Sequence, residues 1–112
     1  MLALDTQHRV IGEHVVHVGG LGEVHVEPRA IFRPLIANNA HAGILCHNHP
    51  SGDPTPSQAD LLMTARLVAC GGLLGVTIVD HVIVGSEGWI SLRTEIERMS
   101  PEVLAQLGLK AG

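Results

Sequence analysis

The sequence predicts an α/β domain in which a mixed β-sheet is flanked by helices, and three observations carry that expectation. Short apolar, β-branched runs of strand length recur at residues 2–4, 10–18, 42–47, 76–84 and 89–92. Two longer segments, opening near Pro28 and Pro56, have helix-start signals followed by apolar residues at helical spacing. Clusters of Gly, Pro, Ser and Asp separate them. With 112 residues, 46% of them hydrophobic, the chain has the size and composition of one domain, residues 1–112, with a modest core.

Taken in order, residues 2–4 and 10–18 read as a hairpin turning at Asp5-Thr6-Gln7-His8. Gly19-Gly20-Leu21-Gly22 breaks the second strand, and a short extended stretch, Val24-His25-Val26, follows. Pro28 starts a helix through Asn38 that turns Ile31 and Leu35, with Phe32 and Ile36 beside them, toward the sheet; Pro34 inside it should kink it or tighten its first turns. Residues 42–47 are a buried strand, and Pro50-Ser51-Gly52-Asp53-Pro54 is a sharp connection. Thr55 as N-cap, Pro56 at the first helical position and Gln58 closing a capping box open a second helix, which runs to about Ala69. Leu61, Leu62, Ala65 and Val68 form its apolar face, and Gly71-Gly72 its stop. Residues 76–84 form a long strand that pairs with 89–92 across Gly85-Ser86-Glu87-Gly88, and Ser100-Pro101-Glu102 begins a terminal helix ending near Leu107.

Composition narrows the function classes. Seven Lys and Arg against eleven Asp and Glu give a net charge of −4 with no basic cluster, and Phe32 and Trp89 are the only Phe, Tyr or Trp residues. Nucleic-acid binding needs phosphate neutralisation and, for single strands, stacking platforms, so this segment carries no such signal. No apolar run reaches the length of a membrane span, and residues 1–5 lack the basic and apolar regions of a secretory leader, which makes the cytoplasm the expected location. Cys46 and Cys70 have neither disulfide-framework nor paired zinc spacing; Cys46 is expected as a small buried residue on the strand face opposite its histidine neighbours.

The chemistry concentrates in His47-Asn48-His49-Pro50, followed by Ser57 and Asp60. On one strand His47 and His49 share a face, with Cα atoms about 6.5 to 7 Å apart, a spacing from which two imidazoles can reach one metal ion. Ser57 and Asp60 stand three apart at a helix start, so a strand bearing the histidines and a helix bearing hydroxyl and carboxylate can converge. Zinc prefers a tetrahedron of N and O donors, with Asp60 the third protein ligand and water the fourth. The adjacent letters His-Asn-His do not indicate an HNH nuclease, which spreads its catalytic residues over a ββα finger.

On these residues the chain resembles the RadC family, a bacterial branch of the MPN/JAMM metalloprotease fold with cytidine-deaminase-like architecture. The resembling segments are Pro28-Arg29, Asn39-Ala40-His41-Ala42-Gly43-Ile44-Leu45, His47-Asn48-His49-Pro50-Ser51-Gly52-Asp53, Ser57-Gln58-Ala59-Asp60 and Asp80-His81-Val82-Ile83-Val84-Gly85. The resemblance implies one Zn2+ per chain on His47, His49 and Asp60, and a Ser57 that hydrogen-bonds the water on the metal or the developing oxyanion. It implies a zinc-activated water attacking an amide carbonyl of a peptide or protein substrate, as in relatives that cleave amide or isopeptide bonds. By the same resemblance His81 lies near the site and orients a ligand or water, with a purely structural hydrogen bond as the alternative. Asp80 and His81, adjacent on a strand, must point to opposite faces.

In RadC-like sequences the general-base glutamate precedes the segment corresponding here to Leu2-Ala3-Leu4-Asp5, which is where this chain begins. Glu13 is the nearest in-chain candidate for that role, with Glu23 and Glu27 behind it. Two functional expectations follow: a RadC-like zinc hydrolase, or an interaction module that keeps the fold without turnover. An exposed first strand also leaves a homodimer by edge pairing open.

Overall fold

The computed structural model describes residues 1–16 and 26–106. Its centre is a mixed five-stranded sheet in the order β2-β1-β3-β4-β5, built from β1 (Leu2–Leu4), β2 (Val10–Glu13), β3 (Ala42–Asn48), β4 (Thr77–Gly85) and β5 (Gly88–Ser91). β1 is antiparallel to both β2 and β3, β3 and β4 run parallel, and β5 returns antiparallel to β4. The helices are α1 (Pro28–Ala37), α2 (Gln58–Leu74), α3 (Leu92–Arg98) and α4 (Pro101–Gln106). Because parallel neighbours need a crossover, α2 must span from the end of β3 to the start of β4. That connection brings the first turn of α2 beside the last residues of β3.

Most expected elements are present, with informative differences. The 10–18 strand ends at Glu13; its residues 17 and 18, together with Val24, His25 and Glu23, lie outside the described residues. β1 is not an edge, since it is paired on both sides, so edge pairing between chains would have to use β2 or β5. α1 buries Ile31, Phe32 and Leu35 and keeps Pro34 within it, whereas Ile36 faces outward. α3 has no counterpart in the sequence reading; it starts on the residue after β5, with Ser91 as both strand end and N-cap.

α2 differs at both ends. Its N-cap is Ser57, because the Thr55 hydroxyl and amide are taken by the Asp53 carboxylate, 2.6 and 2.9 Å away. Its C-terminus is not Gly71-Gly72: the helix runs to Leu74 and stops at Gly75, whose φ of 74° is the left-handed cap conformation that glycine adopts freely. Gly71 answers to packing, since a Cβ there would collide with the Val76 carbonyl oxygen at the entry to β4. The buried stripe is Leu61, Thr64, Leu67 and Gly71, with Leu62 and Val68 exposed.

Two apolar clusters lie between helices and sheet. One joins Ala3, Leu45 and Ile78 of the sheet to Ile31, Phe32 and Leu35 of α1 and Leu67 of α2. The other joins Leu61 of α2, Ile83 of β4 and Leu92 of α3. Along β4 the inward residues run Ile78, His81, Ile83, and along α2 they run Leu67, Thr64, Leu61, so a polar pair interrupts the apolar contact between the clusters. Cys46 lies on the strand face opposite His47 as expected, but it is exposed and not buried, because the helices cover only the His47 side there. Among the described residues no helix is long and apolar enough to cross a membrane.

Candidate metal centre

Two successive structural facts deliver the site residues. β3 carries His47 on its last turn of pleat, and the chain continues in extended form for one more hydrogen bond, His49 N–H to the Val84 carbonyl at 3.0 Å, which keeps His49 beside the end of β4. The loop then folds back. Gly52 N–H donates to the His49 carbonyl at 3.0 Å, and Glu87 N–H donates to the Gly52 carbonyl at 3.2 Å, tying the loop to the β4–β5 turn.

Asp60 arrives from α2 through a reciprocal capping box. Its amide donates to Ser57 Oγ at 3.1 Å while its carboxylate Oδ2 accepts from the Ser57 amide at 2.7 Å. The cap therefore orients the carboxylate as well as starting the helix. Sequence reasoning assigned the capping box to Thr55 and Gln58; the structure uses Ser57 and Asp60, the two residues already singled out for chemistry.

His47, His49 and Asp60 converge, each offering one donor atom, with all three atoms within 4.8 Å of one another. Asp60 Oδ1 lies 3.4 Å from His47 Nε2, and Oδ2 lies 3.1 Å from His49 Nε2. Ligands about 2.1 Å from a tetrahedral zinc stand roughly 3.4 Å apart, so the donor spacing and the N, N, O chemistry fit that metal. Two neutral imidazoles and one carboxylate would leave a divalent cation with net positive charge, open to an oxygen ligand.

Protonation favours the same use. Burial lowers the His47 pKa, helped by His49 and opposed by the Asp60 carboxylate, and the result lies below the ordinary imidazole value. Burial pushes the Asp60 carboxyl up, but the Ser57 amide and hydroxyl and the two imidazoles together pull it further down, below the ordinary carboxylate range. Metal ligands must be deprotonated, and both shifts keep them so near neutral pH.

Each imidazole is held from behind. His49 Nδ1 lies 3.1 Å from the Asp53 carbonyl oxygen, which can only accept. His47 Nδ1 lies 2.6 Å from His81 Nε2, and His81 Nδ1 lies 2.6 Å from Thr64 Oγ1. His81 is 2% exposed, and burial, reinforced by His47 against the pull of Asp60 and Asp80, lowers its pKa to about 4. The expected divergence of Asp80 and His81 is what β4 displays: His81 enters the site side while Asp80 accepts from Ser91 Oγ at 2.7 Å and the Arg93 amide at 3.2 Å, fastening β5 and α3.

Of the general-base candidates, Glu13 and Glu27 are not part of the cluster, and Glu23 lies outside the described residues. Glu13 is exposed and pairs across from Leu2, which pairs with Ile44; Ile44 and His47 are three apart on a regular strand, so Glu13 stands on the opposite face of the sheet. Thr64 and the Asp53 carbonyl were not anticipated. Thr64 follows Asp60 by one helical turn, a spacing that could have flagged it, but its place in an apolar stripe concealed it.

A family model for the RadC-like JAB domain matches residues 1–98. The chain is 45% identical over 93 residues to a UPF0758 protein of Clostridium perfringens, covering 83% of this chain and 41% of that protein. It is 50% identical over 97 residues to a UPF0758 protein of Thermotoga maritima, covering 87% and 44% respectively. A third relative, from Listeria welshimeri, is 50% identical over 91 residues, covering 80% and 40%. The chain thus spans about two-fifths of the length of these curated relatives. Matched across most of its length, with the His-x-His strand and the Ser57–Asp60 helix start in the five-stranded sheet described above, this chain belongs to the RadC family as a RadC-like JAB domain.

Proposed function

We propose that this domain is the metal-holding core of a zinc-dependent hydrolase of metallopeptidase or isopeptidase type, acting on an amide bond in a peptide or protein. The observation that carries this reading is the convergence of His47 Nε2, His49 Nε2 and the Asp60 carboxylate at separations suited to one tetrahedral cation. When bound, zinc polarises a carbonyl and lowers the pKa of water to about 7. The chain's own residues supply the rest: His47 and His49 donate neutral nitrogen, Asp60 supplies the anionic oxygen, and Ser57, whose Oγ accepts from the Asp60 amide, has a hydroxyl proton that can turn from the Asp60 carboxylate to a developing oxyanion.

Metal analysis tests the reading directly. The purified protein should carry about one zinc per chain, lost in His47→Ala and in Asp60→Ala; a protein that takes up no zinc at neutral pH removes it. A second reading, a zinc-stabilised interaction module without turnover, is favoured by Glu13 lying on the opposite sheet face, because amide hydrolysis also needs a proton carrier worth about 10² to 10⁴ in rate. Hydrolysis of a peptide panel by the zinc-loaded protein, compared with Asp60→Ala, separates the two. Equal rates favour the module.

A further inference from the structure

We infer that Thr64, acting through His81, is a positioning residue that holds His47 in the tautomer with its proton on Nδ1 and its Nε2 lone pair turned to the metal position. The inference rests on the zinc reading proposed above and adds a determinant to it.

Three contacts form one chain: His47 Nδ1 to His81 Nε2 at 2.6 Å, His81 Nδ1 to Thr64 Oγ1 at 2.6 Å, and Thr64 Oγ1 to the Asp60 backbone carbonyl at 2.8 Å. Its direction follows from the last link. A carbonyl oxygen only accepts, and Thr64 has one hydroxyl proton, donated to the carbonyl one turn back in the manner common for Thr in helices. Thr64 Oγ1 is then an acceptor, so His81 must present Nδ1–H to it. A neutral imidazole with its proton on Nδ1 has a lone pair on Nε2, and that atom can accept only from a His47 that carries its own proton on Nδ1. His47 Nε2 is left bare. In the opposite direction every proton shifts one place, His47 carries its proton on Nε2, and the metal would have to displace it.

Among the described residues Thr64 and His81 have no competing side-chain partner, whereas His47 Nε2 faces Asp60 Oδ1 at 3.4 Å, the acceptor that the opposite direction would use. Thr64 and His81 are 3% and 2% exposed, set between the Leu67–Ile78 and Leu61–Ile83 apolar contacts, so water does not substitute for either hydrogen bond. Ligating histidines ordinarily give their second N–H to a carboxylate, carbonyl or water. His49 does this directly at the Asp53 carbonyl, whereas His47 reaches a carbonyl only through His81 and Thr64. That carbonyl belongs to Asp60, so the relay also couples one candidate ligand's ring to the backbone of another.

The test uses the full chain, with imidazole 15N shifts recorded at pH 8 on metal-free and zinc-loaded protein, and zinc affinity measured by chelator competition. In the wild type, His47 and His81 should both carry their protons on Nδ1 before and after loading. Thr64→Val, which keeps shape and removes the acceptor, should move His81 and His47 to their Nε2–H forms in the metal-free protein and weaken zinc binding about 10- to 100-fold. Thr64→Ser should restore both. A metal-free wild type with the His47 proton on Nε2 overturns the inference, and so does unchanged zinc affinity in a folded Thr64→Val. Should Thr64→Val fail to fold, the wild-type and Thr64→Ser tautomers decide. A wild type that binds no zinc overturns the zinc reading instead, and its metal-free tautomers still decide the relay.

Discussion

Gly85, the last residue of β4, lies against the backbone of Gly52 so closely that a Cβ on Gly85 would collide with the Gly52 carbonyl. Gly52 belongs to the loop that follows His49, and its φ of +88° suits glycine alone at low cost. Backbone pressed on backbone has no flexible side chain to yield. Gly85→Ala should therefore push the loop away from the β4–β5 turn, loosen the His49 N–H bond to Val84 and the Gly52 bond to Glu87, and cost about 1 to 3 kcal/mol. Zinc affinity should fall with stability, since a ligand moves. Chelator competition alongside urea unfolding checks both, and an unchanged zinc affinity would contradict the claim that this contact seats His49.

Ser57→Ala removes the hydroxyl that caps α2 but leaves the backbone N–H that holds the Asp60 carboxylate. The expected loss is about 1 kcal/mol of stability with zinc retained, together with a drop in any peptide hydrolysis larger than the lost fraction of folded protein explains. Thr55→Ala serves as control: its hydroxyl serves Asp53 and not the helix, so the helix cap should survive. Equal melting shifts in the two variants would mean that the helix starts where the sequence alone suggested, at Thr55.

The triad and its two supporting elements were legible because they follow local rules. Period two puts His47 and His49 on one face, and a helix start places Asp60 one turn in. What escaped was set by contacts distant in sequence. Thr64 looks like a minor interruption of an apolar helix face until His81, seventeen residues on, is brought against it. Gly71 resembles a helix stop because nothing local reveals that the Val76 carbonyl needs its empty side. Cys46 is expected inside as a small residue on the strand face away from the histidines, yet burial of a strand depends on whether both sheet faces are covered, which the strand itself does not encode. α3 was missed since Ser91 ends a strand and caps a helix with no linker between them.

Acid should unfold the metal-free protein through the site itself. His47 and His81 have lowered pKa values in the fold, so between about pH 4 and 6.5 the unfolded chain binds more protons than the folded one, and stability rises with pH across that window. Their contribution is complete above 6.5 and lost as pH falls toward 4. Asp60, also lowered, adds a loss only below its unfolded value near 3.8. The His81 shift alone corresponds to something on the order of 3 kcal/mol. His81→Gln, which cannot titrate, should flatten the curve from pH 4 to 6.5 in urea unfolding of the metal-free protein; an identical slope in the variant would mean that His81 is not held neutral by the fold.

Adjacent glycines near the end of α2 should respond with opposite signs. At Gly71 an added Cβ meets the Val76 carbonyl oxygen, and both partners are backbone at the junction that carries the chain from α2 into β4. Gly71→Ala should destabilise by about 1 to 3 kcal/mol, because relief requires moving the helix off Phe32 and Ile78. At Gly72 the added methyl meets nothing within 4 Å, and the residue lies within the helix. Gly72→Ala should stabilise by about 0.4 to 1 kcal/mol, mainly by restricting the unfolded chain. Neither residue touches the triad, so zinc stoichiometry should stay constant while melting temperatures diverge. A stabilising Gly71→Ala would mean that the close approach to the Val76 carbonyl does not constrain this position and that glycine there only weakens the helix.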